Sequence, residues 1–135
     1  MDKDEKLLNM LMDFNEDIRF AAVVDPQGTI QVYSQRDGLK NLVPFDETKQ
    51  IIMRGLKAWP ENDRVKSQLG KGQYTIASYS KIKRITVPLD GGRMLYITIS
   101  NEPLKKGIFG NKKSYGHIAD MGKILSIVDF VKDNK

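Results

Sequence analysis

The chain has 135 residues, 40% of them hydrophobic and 29% charged, with no cysteine and one histidine. That length supports one hydrophobic core and excludes two full domains. The lack of cysteine excludes a disulfide framework and thiolate chemistry, and no apolar run approaches the roughly 20 residues of a membrane-spanning helix.

The net charge of +5 is uneven: residues 1–50 carry six Lys/Arg against ten Asp/Glu, and residues 51–135 carry sixteen against seven. A basic half suits nucleic acid, an anionic membrane or an acidic protein surface, or simply keeps a small domain in solution. The first residues, MDKDEKLLNM, are acidic and polar, unlike a secretory or transit segment. A cytoplasmic location is expected.

In chain order, Asp4 to Phe14 reads as a helix with the stripe Leu7, Leu8, Leu11 and Phe14, capped by Asp2 or Asp4. Arg19 to Asp25 is a nearly continuous apolar run, as expected of a strand covered on both faces. Asp25-Pro26-Gln27-Gly28 is a turn, and Thr29 to Ser34 alternates as a second strand nearer an edge. Asp46 is a candidate N-cap for a helix from Glu47 to about Trp59, with Ile51, Ile52, Leu56 and Trp59 inward. Pro60 is expected to end or kink it. Trp59 reads as a core anchor.

Tyr74 to Ser100 is the most sharply patterned stretch and predicts three strands. Ile85, Val87 and Leu89 share one face, as do Leu95, Ile97 and Ile99, with Met94 and Tyr96 opposite. Lys83 falls on the apolar side, where its stem is expected to reach water. Asp90-Gly91-Gly92 supplies residues that accept positive φ in a tight turn. Asn101 to Gly116 is a loop rich in glycine and lysine. A last helix is expected from about Tyr115 to Lys132, with Ile118, Met121, Leu125 and Val128 as its stripe, widened by Ile124, Ile127 and Val131. No linker or internal repeat divides the chain, so residues 1–135 form a single domain of order α-β-β-α-β-β-β-α.

The sequence offers little chemistry. One histidine, His117, and no cysteine make no metal constellation, and no serine sits in a nucleophile elbow. Neither catalytic residues nor a cofactor are expected. Gly107 to Ser114 follows a strand and precedes a helix, with Gly107, Lys113 and Ser114 spaced as in a P-loop. However, Lys112 fills the position of the second glycine. A softer reading makes Lys105, Lys106, Lys112 and Lys113, around Ile108 and Phe109, an anion- or membrane-docking loop. No RNA-reading signature is present. Tyr74, Tyr79 and Tyr96 lie on adjacent strands, but Tyr74 and Tyr79 face opposite ways.

Two stretches resemble the roadblock/LC7 domains, relatives of the longin and profilin-like folds. Ile18 to Ile30, IRFAAVVDPQGTI, is similar to the family's first hairpin. Leu69 to Ile99, with Leu69-Gly70-x-Gly72 and Val87-Pro88-Leu89, is similar to its later half. The resemblance implies an α+β domain: a five-stranded antiparallel sheet with the middle helix on one face and the terminal helices on the other. It implies a homodimer pairing Gln73 to Ser80 edge to edge and Lys49 to Lys57 helix to helix. The expected interface residues are Lys49, Met53, Lys57, Gln73, Thr75, Ala77 and Tyr79. It also implies a non-enzymatic regulatory scaffold, often for small Ras-like GTPases. The alternatives are a small-ligand sensor or a docking domain using loop 105–113. For the dimer, Ala77→Pro is expected to remove an edge donor.

Overall fold

The computed structural model describes residues 2–39, 42–63, 65–101 and 117–135. Helix α1 (Lys3–Phe14) begins where the Asp2 carboxylate accepts the Glu5 N–H at 2.8 Å, satisfying an otherwise orphaned donor of the first turn. Asp4 and Glu5 in that turn complement the helix dipole. Leu7, Leu8 and Leu11 are buried, whereas Phe14 is half-exposed and stacks on Phe130 with ring centroids 4.3 Å apart.

Strands β1 (Ile18–Val24) and β2 (Ile30–Gln35) form the first hairpin. Its turn is held by Asp25, whose Oδ1 accepts the N–H groups of Gln27 and Thr29. Gly28 supplies a φ of +88° there, a conformation that costs a residue with a Cβ. After α2 (Phe45–Asp63) and the single turn α3 (Lys66–Leu69) come β3 (Thr75–Ser78), β4 (Ile82–Pro88) and β5 (Met94–Ser100). A 3-10 turn, Asp90–Gly92, joins β4 to β5, with both glycines at φ +75°. Helix α4 (His117–Asn134) closes the chain.

The fold is α+β, one five-stranded antiparallel sheet of order β2-β1-β5-β4-β3. Strand alternation sends Ala21, Val23, Ile85, Val87, Leu95 and Ile97 to one face, under α1 and α4. Ala22, Val24, Met94 and Tyr96 go to the other, under Ile52 and Trp59 of α2. β1 is therefore covered on both faces, as its unbroken apolar run requires. No helix among the described residues is long and apolar enough to cross a membrane.

Four expectations change. The middle helix starts at Phe45 and runs through Pro60 to Asp63, so Asp46 lies in its first turn instead of capping it. Proline lacks one N–H, and the loss of a single ladder bond near a helix end does not stop it. The stripe of α4 is turned: Ile124, Ile127, Val128 and Val131 are buried, while Leu125 is exposed. Lys83 does not reach water. It is 5% exposed and donates to Asn101 Oδ1 at 2.6 Å, and the Asn101 amide in turn donates to the carbonyls of Tyr79 and Ser80. A buried ammonium is tolerable only when so engaged.

Two further polar devices tie the elements together. The Arg36 guanidinium donates to the carbonyls of Met12, Asn15 and Ile18, fastening the α1–β1 connection to the end of β2. Buried Asp17 receives Lys123 of α4 at 2.9 Å.

Candidate functional site

Two features of the α2 side of the molecule are not consumed by packing: the edge of β3, and a cavity beneath the first half of α2. β3 pairs with β4 in the register Thr75↔Thr86, Ile76↔Ile85, Ala77↔Arg84, Ser78↔Lys83. It ends the sheet, so its second side is unpaired among the described residues. The Tyr79 N–H donates to Ile82 O at 2.8 Å. Because donors alternate sides along an antiparallel strand, Ala77 and Thr75 also direct their N–H groups toward β4. Ile76 and Ser78 carry the outward donors. Proline at Ala77 would thus cut the sheet's own ladder, not the free edge.

The expected interface residues divide into two groups. Gln73, Thr75 and Tyr79 are exposed and Ala77 is half-buried. Thr75 and Thr86 share a hydroxyl hydrogen bond, and Tyr79 meets Arg84. On α2, Lys49 and Lys57 are exposed, with Lys49 Nζ 5.2 Å from the Phe45 ring centroid. Met53 lies against Gly28 in the β1–β2 turn: a Cβ built on Gly28 would sit 1.9 Å from Met53 Sδ. Positions 49, 53 and 57 are spaced along one side of the helix, and of these Met53 is directed toward the β1–β2 turn. Gly55, by contrast, faces Thr86 and Met94. Gln73, Thr75, Ala77 and Tyr79 thus lie together on and beside β3, whereas Met53 packs against the β1–β2 turn. Lys105, Lys106, Lys112 and Lys113 lie outside the described residues.

The cavity measures about 390 Å³ and lies between α2, the preceding segment and the ends of β1, β4 and β5. Phe20, Ile51, Ile82 and Tyr96 contribute to its wall, and the exposed Leu42, Val43 and Phe45 border it. Among the described residues that line it, the cations are Arg19, Lys81 and Arg84, and none is a carboxylate. Arg84 is its polar centre. The guanidinium lies 4.7 Å from the Tyr79 ring centroid and donates to the Tyr79 hydroxyl, a cation–π contact joined to a hydrogen bond. Its Nε is buried and has no acceptor. Burial pushes the Tyr96 phenol up from its ordinary range, against the charge and hydrogen bond of Arg84, while Tyr79 adds to the rise.

Arg84 belongs to no catalytic motif in the sequence. The available signal was its strand parity: Lys83 and Ile85 flank it, so it must share a face with Thr86 beneath α2. Among the described residues no group of three or more His, Cys, Asp or Glu could hold a metal ion. Trp59 is a core residue, packed so that a Cβ on Gly72 would come within 2.4 Å of its ring.

No family model matches the sequence, and no curated protein does. Solved structures match nearly the whole chain. The gliding protein MglB from Thermus thermophilus superposes with a TM-score of 0.59 at 10% identity, over 97% of this chain and 90% of that one. A structure of MglB with a tetrameric arrangement gives 0.59 at 11% identity, over 97% and 89%. A roadblock/LC7 domain from Streptomyces avermitilis gives 0.53 at 10% identity, over 95% and 93%. At such identities these likenesses establish a common fold: the chain has the roadblock/LC7 architecture.

Proposed function

We propose that this chain is a non-enzymatic, homodimeric interaction module that presents its α2 side to a regulatory protein partner. The observation that carries the reading is the end of the sheet at β3, where Ile76 and Ser78 direct N–H groups outward from a short strand with no charged side chain. Bare edges invite pairing with another strand, and a second copy provides the same edge in antiparallel orientation about a two-fold axis. The likeness in fold to MglB, known in a tetrameric arrangement, supports self-association.

The partner class we assign is a small Ras-like GTPase, as is common for the roadblock/LC7 fold. Association is tested by sedimentation velocity. Ser78→Pro deletes an outward donor, and the expected product is a folded monomer. Ala77→Pro, which cuts the β3–β4 ladder, is expected to lower the melting temperature. A Ser78→Pro protein that still sediments as a dimer at low micromolar concentration refutes this edge as the interface. The partner assignment predicts capture of a Ras-like GTPase that depends on whether GTP or GDP is loaded, and indifference to the nucleotide would refute it.

A further inference from the structure

Arg84 poses a problem of charge balance. It stands on β4, half-buried on the wall of an apolar cavity, with no carboxylate among the described residues that line it and a buried Nε that lacks an acceptor. Its visible companions are the ring and hydroxyl of Tyr79 and the hydroxyl of Tyr96. Aromatic faces and phenols soften a cation but do not neutralise it, and a buried donor without an acceptor, such as Nε here, costs stability. A stable fold that keeps such a group beside empty space is consistent with an anion arriving from outside.

We propose that the cavity is a binding site for a small amphipathic carboxylate, a single anionic head on an apolar body. The volume of about 390 Å³ falls within the range of small-molecule pockets. The head would take the free Nε donor of Arg84, because guanidinium geometry suits a planar carboxylate. The body would lie along Phe20, Ile51 and Ile82, beneath α2. Lys81, exposed at the mouth, adds positive potential on the entry path. A compact, strongly hydrated anion such as phosphate would gain nothing from the apolar wall, which argues for a head with a tail. The ligand donor of this site is on β4 and its apolar wall lies beneath α2, so binding does not require dimerisation even though Tyr79 stands beside the β3 edge.

The test uses octanoate as probe, with 1-octanol and inorganic phosphate as controls, followed by amide and arginine side-chain NMR of the whole chain. Octanoate is expected to shift the Ile51, Ile82 and Thr98 amides and the Arg84 Nε–H saturably. Octanol should bind at least tenfold more weakly, and phosphate should leave these signals unmoved. Arg84→Gln should weaken octanoate at least tenfold, and Ile51→Trp, which fills the cavity while leaving the guanidinium in place, should abolish binding. The second variant decides the matter if the first folds poorly. Equal binding of octanol, the same shifts with phosphate, no octanoate response, or octanoate binding unaffected by Ile51→Trp would each overturn the proposal. Repeating the titration on Ser78→Pro separates the two readings: octanoate binding should survive there even though association is lost.

Discussion

Behind the sheet, α1 and α4 lie side by side and close a continuous apolar layer. In front, α2 is the one long helix across the sheet among the described residues. Among the described residues, sixteen buried side chains form the rear cluster and six the front one. One helix of about 10–12 Å diameter cannot cover five strands spaced nearly 5 Å apart. Among the described residues, the remainder becomes the cavity around Arg84 at one end and the unpaired β3 edge at the side. The larger share of the buried core among these residues thus lies behind the sheet, and the smaller share in front of it.

The sharpest way to break this contrast is to truncate one isoleucine on each side. Ile97→Ala removes a fully buried side chain from the middle of β5 on the rear face and should cost about 2–5 kcal/mol. Ile51→Ala enlarges a space that already exists, on a side chain only half-buried, and should cost about 1 kcal/mol or less. Urea unfolding monitored at Trp59 measures both. Similar losses would mean that the front face contributes as much to stability as the rear.

Next in size is a pair of glycines. Gly28→Ala combines a φ of +88° with a collision against Met53 and should cost about 1–3 kcal/mol. Adding Met53→Ala should relieve the collision but leave the backbone strain, so the double variant should be more stable than the sum of the singles predicts. Gly122 is the opposite case. It lies within α4, exposed, with nothing within 4 Å of a Cβ, so Gly122→Ala should raise stability by about 0.5–1 kcal/mol. Thermal melts distinguish the signs.

The rear face was more legible in the sequence than the front. Alternation in Ile85-Val87-Leu89 and Leu95-Ile97-Ile99 specifies a buried side directly, because one strand residue in two must point the same way. Gly91 and Gly92 likewise announce their positive φ. Helix faces were harder to read. The stripe of α4 turned because Leu125 and Ile124 are both apolar and only packing against α1 chooses between them. Met53 is directed toward the β1–β2 turn because Gly28 leaves room for it there, a contact between residues 25 positions apart. Arg84 carried no motif. Its significance arises from a charge placed under a helix, which requires knowing where that helix lies. Lys83, its neighbour on the other face, owes its burial to Asn101, which no local pattern announces.

The finest discrimination comes from Tyr96, whose hydroxyl belongs to the front face. Burial raises its pKa in the folded chain above the ordinary value near 10. When the folded pKa exceeds the unfolded one, the unfolded state loses its proton first as pH rises. The contribution of Tyr96 to stability is therefore complete below about pH 10 and declines as pH climbs through the folded pKa. Other tyrosines titrate in the same region, so the useful quantity is the stability of the parent minus that of Tyr96→Phe, obtained from urea unfolding between about pH 9 and 11. That difference should decline with pH. In an Arg84→Gln background the decline should be steeper, because Arg84's charge and hydrogen bond hold the phenol's pKa down. Parallel curves for the parent and Tyr96→Phe would mean that the charge and hydrogen bond of Arg84 cancel the effect of burial on this phenol, and the Arg84→Gln background would then reveal the decline.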